Sequence, residues 1–293
     1  MILKGYTIAI FDATITVNIV SNKDNVKTYE LVLPAIPLPT RLLLDDIKKN
    51  LVTTTNAIDI ADPAAFERVR NAALEAIRKS VSHTLPHLDH TTGALLCITL
   101  LNEMTGLWDT EYLLNDPNLE EITVHSAGGG VRVYHKDFGW LRTNLVITSE
   151  EQVLNYANII GRRIGREIST LYPVLDARLG TGDRANAVLY PISDSGNMLT
   201  IRKFSREPWT FVDFIKNKTC SSEIFALIWI AMQYEMNVLF SGGTASGKTS
   251  MLNVCMPFIP PNQRIISIED TRELQPPKFL FWEPLVTRFA NPE

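Results

Sequence analysis

The sequence predicts an α/β protein in which α+β units over residues 1–90 and 91–207 precede part of a parallel-sheet domain over 208–293. Three observations carry this. Residues 6 to 19 alternate apolar and polar with a period of two, and several later segments repeat apolar residues at helical spacing. An apolar triplet, Val238-Leu239-Phe240, runs into a glycine-rich turn that opens a further helical pattern through Ser250, Met251, Leu252 and Val254.

In the first unit Ile8 and Ile10, then Ile15, Val17 and Ile19, face one way, as a hairpin or meander requires. Tyr29, Leu31 and Leu33 continue as a strand until Pro34, Pro37 and Pro39 force an extended connection. Thr40 is placed to cap a helix striped by Leu44, Ile47 and Leu51. Asp62-Pro63 is a cap followed by proline at the first helical position, and Phe66, Val69, Ala73, Ile77 and Val81 form the face of that second helix. His83, His87, Asp89 and His90 stand close together, but Pro86 breaks any helix that could align their side chains. They are read as a connection and not as a metal site.

The second unit begins near Thr91 with helical segments. A meander follows: Leu119 to His125, the turn Ala127-Gly128-Gly129-Gly130, Val131 to His135, and Trp140 to Thr143. Ser149 with Gln152 is a capping box for a helix whose face is Val153, Ala157, Ile160 and Ile164. Strands are expected at Tyr172 to Leu175, Ala185 to Ile192 and Met198 to Phe204, with Ser205 to Pro208 as linker. A helix from Ser221 to Gln233 follows, its face set by Ile224, Leu227, Ile228 and Ala231.

Composition narrows the function classes. An apolar content of 45% with 20% charged residues is that of a globular protein able to bury a core, and the net charge of −4 provides no basic footprint, so nucleic acid is not an expected partner. Cys97, Cys220 and Cys255 are odd in number and widely spaced, which suits reduced thiols better than zinc or a disulfide frame. Lys4 and Asp12 interrupt the opening apolar residues, so no signal peptide is read there. No apolar run approaches the ~20 residues of a spanning helix. The expected location is cytoplasmic, with any membrane role peripheral.

The chemistry concentrates at Gly242-Gly243-Thr244-Ala245-Ser246-Gly247-Lys248-Thr249, a G-x-x-x-x-G-K-T that joins a predicted strand to a helix continuing through Ser250. Glycines let successive N–H groups point into one cavity, and the new helix adds its positive end, so the stretch is a phosphate-binding loop for a nucleotide. Lys248 is placed for the β- and γ-phosphates and the Thr249 hydroxyl for Mg²⁺. Beyond Pro260-Pro261, the strand Arg264 to Ile268 ends in Glu269-Asp270. Acidic residues at the carboxyl end of a strand beside such a loop are where metal or attacking water is handled, although alone the pair also reads as a cap or turn.

Ser-Gly-Gly-Thr-Ala-Ser-Gly-Lys-Thr at 241–249 and Ile-Ile-Ser-Ile-Glu-Asp-Thr-Arg-Glu-Leu at 265–274 resemble the secretion ATPases, above all the archaeal type II/IV secretion, pilus and archaellum motor ATPases. Leu114 to Ile122, Tyr134 to Asn144 and Leu199 to Phe204 are similar to that family's N-terminal domain. The resemblance implies an N-terminal α+β domain followed by the first part of a RecA-like P-loop NTPase domain, assembled as a homo-hexamer that hydrolyses ATP with Mg²⁺ and works on a membrane platform protein. It also implies that Glu269, or failing that Glu273, polarises water, and that Arg178, Arg184 and Arg202 present guanidinium groups to the phosphates. Surface ion pairs remain the alternative for each arginine. The family pattern continues past its acidic motif into a second acidic strand, a histidine motif and more sheet, none of which follows here. The expectation is therefore a shortened nucleotide domain, incomplete and inactive alone. Two alternatives stay open: a RecA-like DNA-handling ATPase, and a nucleotide-binding scaffold without turnover.

Overall fold

The computed structural model describes residues 1–22, 25–54, 63–179, 181–204, 208–243, 246–270 and 272–287, with the side chains of 52–54 and 63–67 outside that set. Asp62 as a helix cap, Phe66 on that helix's face and most of the 205–208 linker therefore lie outside the described residues. Contacts divide the chain after Phe204 into two compact units, and the mixed α/β class is the one the sequence predicts.

In the first unit, alternation becomes β1 (Ile2–Ile10) and β2 (Ala13–Ser21), which turn through Phe11 and Asp12, followed by β3 (Lys27–Val32). The later strands are β4 (Leu119–Val124), β5 (Val131–His135), β6 (Gly139–Thr143), β7 (Val174–Arg178), β8 (Arg184–Val188) and β9 (Met198–Arg202). Together they make a nine-stranded sheet ordered β1-β2-β3-β6-β5-β4-β9-β8-β7.

This sheet corrects the expected division near residue 90. Strand β3 lies parallel to β6, with Thr28 opposite Arg142 and Tyr29 opposite Thr143. The Asn144 carboxamide extends the seam by donating to the Leu31 carbonyl and accepting from its amide, both at 2.9 Å. Beneath it, Tyr6 and Tyr29 donate to the same oxygen of the fully buried Asp116 at 2.6 and 2.9 Å. Residues 1–33 could not be detached without stranding these polar groups, because a buried acceptor that loses its donors bears the full desolvation cost.

Helices α1 (Leu38–Thr54), α2 (Pro63–Thr84) and α3 (His90–Thr105) share a core of Leu44, Ile47, Leu74, Ile77, Val81, Leu96, Cys97, Leu100 and Leu101. The opposite side of α3 sends Leu95 and Ile98 into the sheet core, so the middle of this helix is apolar on two sides because both are covered. Each such leucine stabilises the fold by roughly 1.5–3 kcal/mol relative to exposure. Asp89, from the histidine-rich connection, caps α3 by accepting from the Thr92 amide at 2.9 Å. The unit is completed by α4 (Thr110–Leu114) and by α5 (Glu150–Arg163), which Ser149 caps and which buries Val153, Ala157 and Ile160.

His135, fully buried at the end of β5, accepts from the Asp137 amide through Nδ1, while Nε2 has no partner among the described residues. Burial holds its imidazole below the ordinary value against the opposing pull of Asp116 and Asp137. A depressed folded pKa means that the unfolded chain binds the proton more readily. This contribution to stability is thus complete above the unfolded value of about 6.5 and is lost as pH falls below it. We expect the melting temperature of the chain to fall between pH 7 and 5, and to fall less in His135→Gln. Equal pH slopes for the two proteins would contradict this.

The second unit contains α6 (Phe211–Lys216), α7 (Ser222–Gln233), α8 (Lys248–Cys255) and two strands in parallel, β10 (Arg264–Glu269) and β11 (Phe281–Val286). Thr210 and Asp213 form a reciprocal capping box for α6, and Ser221 caps α7. Phe214, Phe225, Val254, Cys255 and Phe258 form the core. Two expectations are corrected here. The α7 residue that is buried is Phe225, whereas Ile224 and Leu227 are exposed; a helix apolar on nearly every side carries no periodicity that selects a face. Val238-Leu239-Phe240 is no strand, and Leu239 is 90% exposed. Three apolar residues make a strand only where a neighbour supplies ladder hydrogen bonds, and among the described residues β10 pairs with β11. Only Phe240 of the triplet packs on the core.

Candidate functional site

The glycine-rich loop runs from Ser241 into the first turn of α8, and Thr244 and Ala245 within it lie outside the described residues. Ser246 Oγ donates to the Gly243 carbonyl at 2.8 Å, and Lys248 Nζ donates to the same oxygen at 2.5 Å. The ammonium is thus folded onto the loop that it follows. Gly247 stands at the N-cap of α8 with φ +84°, a left-handed conformation that side chains resist. At Gly242 a Cβ would meet Ser246 Oγ at 2.5 Å. Among the described residues no side chain caps α8, so the amides of its first turn have no side-chain acceptor there, which is the polar pattern that suits an anion. The Thr249 hydroxyl takes no hydrogen bond among the described residues, and Ser250 follows it in the first turn. A neutral hydroxyl is a hard oxygen donor of the kind Mg²⁺ takes, the rest of its shell being water and phosphate oxygens.

The acidic segment follows β10. Glu269 is committed to the fold: Oε1 accepts from Ser267 Oγ at 3.0 Å, and Oε2 accepts from the amides of Glu273 at 2.7 Å and Leu274 at 3.0 Å. Asp270 accepts from Thr287 Oγ1 at 2.7 Å. Thr271 lies outside the described residues. Arg272 stacks on Trp282, 5.1 Å from the ring centre, and the indole N–H donates to Ser267 Oγ at 2.9 Å. The Glu273 carboxylate, by contrast, takes no hydrogen bond among the described residues.

Sequence reasoning passed over Asn253. Its carboxamide donates to the Glu273 carbonyl at 3.2 Å and accepts from the Gln275 amide at 2.7 Å. The one signal was an asparagine inside a helix, where its competing hydrogen bonds usually disfavour it.

The three arginines belong to the first unit, and strand register brings them into one row. Arg178 on β7 is opposite Arg184 on β8, which is opposite Arg202 on β9. Directly opposed residues share a face with Cβ atoms about 5 Å apart, and like charges so placed repel. Arg184 is held by a two-point pair with Asp176, Nε to Oδ1 at 3.0 Å and Nη2 to Oδ2 at 2.6 Å. Both partners are about half exposed, so this pair adds little stability, and for Arg184 the surface ion pair is real.

Residues 147–280 match the family described as Type II/IV secretion system protein. Among individual proteins, this chain is 39% identical over 195 residues to the uncharacterized protein MJ0900 of Methanocaldococcus jannaschii, covering 66% of this chain and 35% of that one. It is 28% identical over 184 residues to the type IV secretion system protein PtlH of Bordetella pertussis, covering 55% and 53% respectively. The chain thus spans between a third and about half of the length of these relatives. A crystal structure of the VirB11 ATPase from the Brucella suis type IV secretion system, in complex with sulphate, overlaps 60% of this chain and 59% of that one at 25% identity and a TM-score of 0.33.

Proposed function

Given that residues 147–280 belong to the Type II/IV secretion system protein family, we propose that this chain is the ATP-binding part of a secretion motor. In this reading Mg²⁺-assisted hydrolysis of the β–γ bond of ATP drives secretion or the assembly of a surface filament, a pilus or an archaellum. The observation that carries the reading is the uncapped start of α8 behind a left-handed Gly247, with Lys248 folded onto the loop.

The chemistry then follows from the chain's own groups. Amides at the first turn of α8 donate to the phosphates, and the Lys248 ammonium exchanges the Gly243 carbonyl for phosphate oxygens. Thr249 would hold Mg²⁺, and the metal when bound would spread the negative charge of the β- and γ-phosphates. Glu273, whose carboxylate is uncommitted, orients the attacking water and takes its proton, while Glu269 shapes the turn that presents it. This reverses the order of preference between the two acids that the sequence suggests. The motor works as a homo-hexamer on a membrane platform protein, and no helix among the described residues is long and apolar enough to cross a membrane.

Titration of MgATP into the purified chain tests the reading directly, and absence of binding overturns it. A salt-dependent DNA titration separates the DNA-handling alternative, because phosphate contacts produce a steep salt slope. The arginine row supplies a second check. In a preparation that hydrolyses ATP, Arg178→Ala or Arg202→Ala should lower turnover by about tenfold or more, since planar guanidinium groups neutralise charge growing on the γ-phosphate. ATP affinity should change far less. A variant with unchanged turnover returns its arginine to a surface role.

A further inference from the structure

Residues 273–275 carry no regular secondary structure, yet they are bound at four backbone positions. The amides of Glu273 and Leu274 donate to Glu269, the Glu273 carbonyl accepts from Asn253 Nδ2, and the Gln275 amide donates to Asn253 Oδ1. Two side chains thus stand in for a ladder strand, one at the end of β10 and one on α8. Asn253 lies four residues after Thr249, one turn further along the same helix face. A carboxamide is the one short side chain that offers donor and acceptor side by side, matching a peptide carbonyl and N–H.

We propose that Asn253 is a positioning residue: its carboxamide fixes the acidic segment 273–275 to the phosphate-loop helix, so that the Glu273 carboxylate is set in place relative to nucleotide held at Lys248 and Thr249. This rests on the reading of Gly242 to Thr249 as a nucleotide site and deepens it. Phosphates that seat on the first turn of α8 stiffen that helix, and the carboxamide carries the effect to the backbone that bears Glu273. Helix α8 and the acidic segment then respond to nucleotide as one body.

Amide hydrogen exchange with MgADP as the probe tests this on the whole 293-residue chain. In the unmodified protein MgADP should slow exchange at Glu273, Leu274 and Gln275 by about threefold or more. In Asn253→Ala, exchange at Gln275 without nucleotide should rise about tenfold, as loss of one hydrogen bond implies, and the MgADP effect at 273–275 should vanish. The affinity for MgADP should stay within about threefold, and the β10–β11 ladder amides should keep their rates. Asn253→Asp, nearly isosteric, retains the acceptor for Gln275 but turns a carboxylate toward the Glu273 carbonyl. It should protect Gln275 and still lose the MgADP effect at Glu273. Nucleotide-dependent protection that survives in both variants overturns the proposal, and so does equal acceleration of the β10–β11 ladder, which would mark Asn253 as merely structural. If the unmodified chain binds no MgADP, the nucleotide reading fails and this coupling with it; binding without Asn253-dependent protection overturns the coupling alone.

Discussion

Lys248→Ala is expected to weaken ATP binding about tenfold or more, because hydrogen bonds from a charged donor are worth roughly 1.5–3 kcal/mol and alanine supplies none. The structure sharpens the reason. Lys248 Nζ already lies 2.5 Å from the Gly243 carbonyl, so the ammonium is aimed into the loop before any ligand arrives and little side-chain entropy remains to be lost. The fold should survive, since the core of the second unit is built from Phe214, Phe225, Val254, Cys255 and Phe258 and does not include this side chain. Calorimetric titration of the two proteins with MgATP is the measurement. Equal affinities would remove Lys248 from the phosphates and, with it, the main support for an ATP site.

Glu111→Ala should destabilise the first unit by about 3–5 kcal/mol, the usual cost of removing one partner from a buried ion pair and leaving the other charged. Glu111 is 3% exposed. Its Oε1 accepts from Arg70 Nη1 at 3.1 Å, its Oε2 accepts from the Leu107 amide at 2.9 Å, and Arg163 Nη2 stands 3.8 Å away. The two arginine side chains are each only 11% exposed. One carboxylate therefore joins α2, the turn after α3 and the end of α5, and its loss leaves two guanidinium groups in a poorly solvated place. Against a typical stability of about 5–15 kcal/mol this is a large fraction, so the urea midpoint of the first unit should shift plainly. Glu111→Gln keeps an acceptor for the Leu107 amide and should cost less. A loss below about 1 kcal/mol for Glu111→Ala would mean that water reaches the arginines and that the pair behaves as a surface pair.

Much of the fold was legible locally. The alternation of Ile15, Val17 and Ile19 specifies a strand face, Ser149 followed by Gln152 specifies a helix start, and eight residues from Gly242 to Thr249 carry the pattern on which the nucleotide site is proposed, because each signal lies within one or two turns of chain. The family resemblance was legible for the same reason, being carried by short unbroken segments.

The tertiary structure decided what depends on a distant partner. Tyr29 looks like any strand tyrosine until its hydroxyl meets Asp116, 87 residues away, and β3 takes β6 as its neighbour, which merges two units expected to be separate. Val238 to Phe240 has the composition of a strand but no ladder, and Arg178, Arg184 and Arg202 become a row only through the register of β7, β8 and β9. Between two acids four residues apart, sequence alone favoured Glu269. Its oxygens are taken by Ser267 and by two backbone amides, and Asn253, on another element, binds the segment that leaves Glu273 uncommitted. Propensity and periodicity describe which face a residue presents. Which group meets that face is set by pairing and hydrogen bonding between segments far apart in the chain, and only the folded chain brings them within reach.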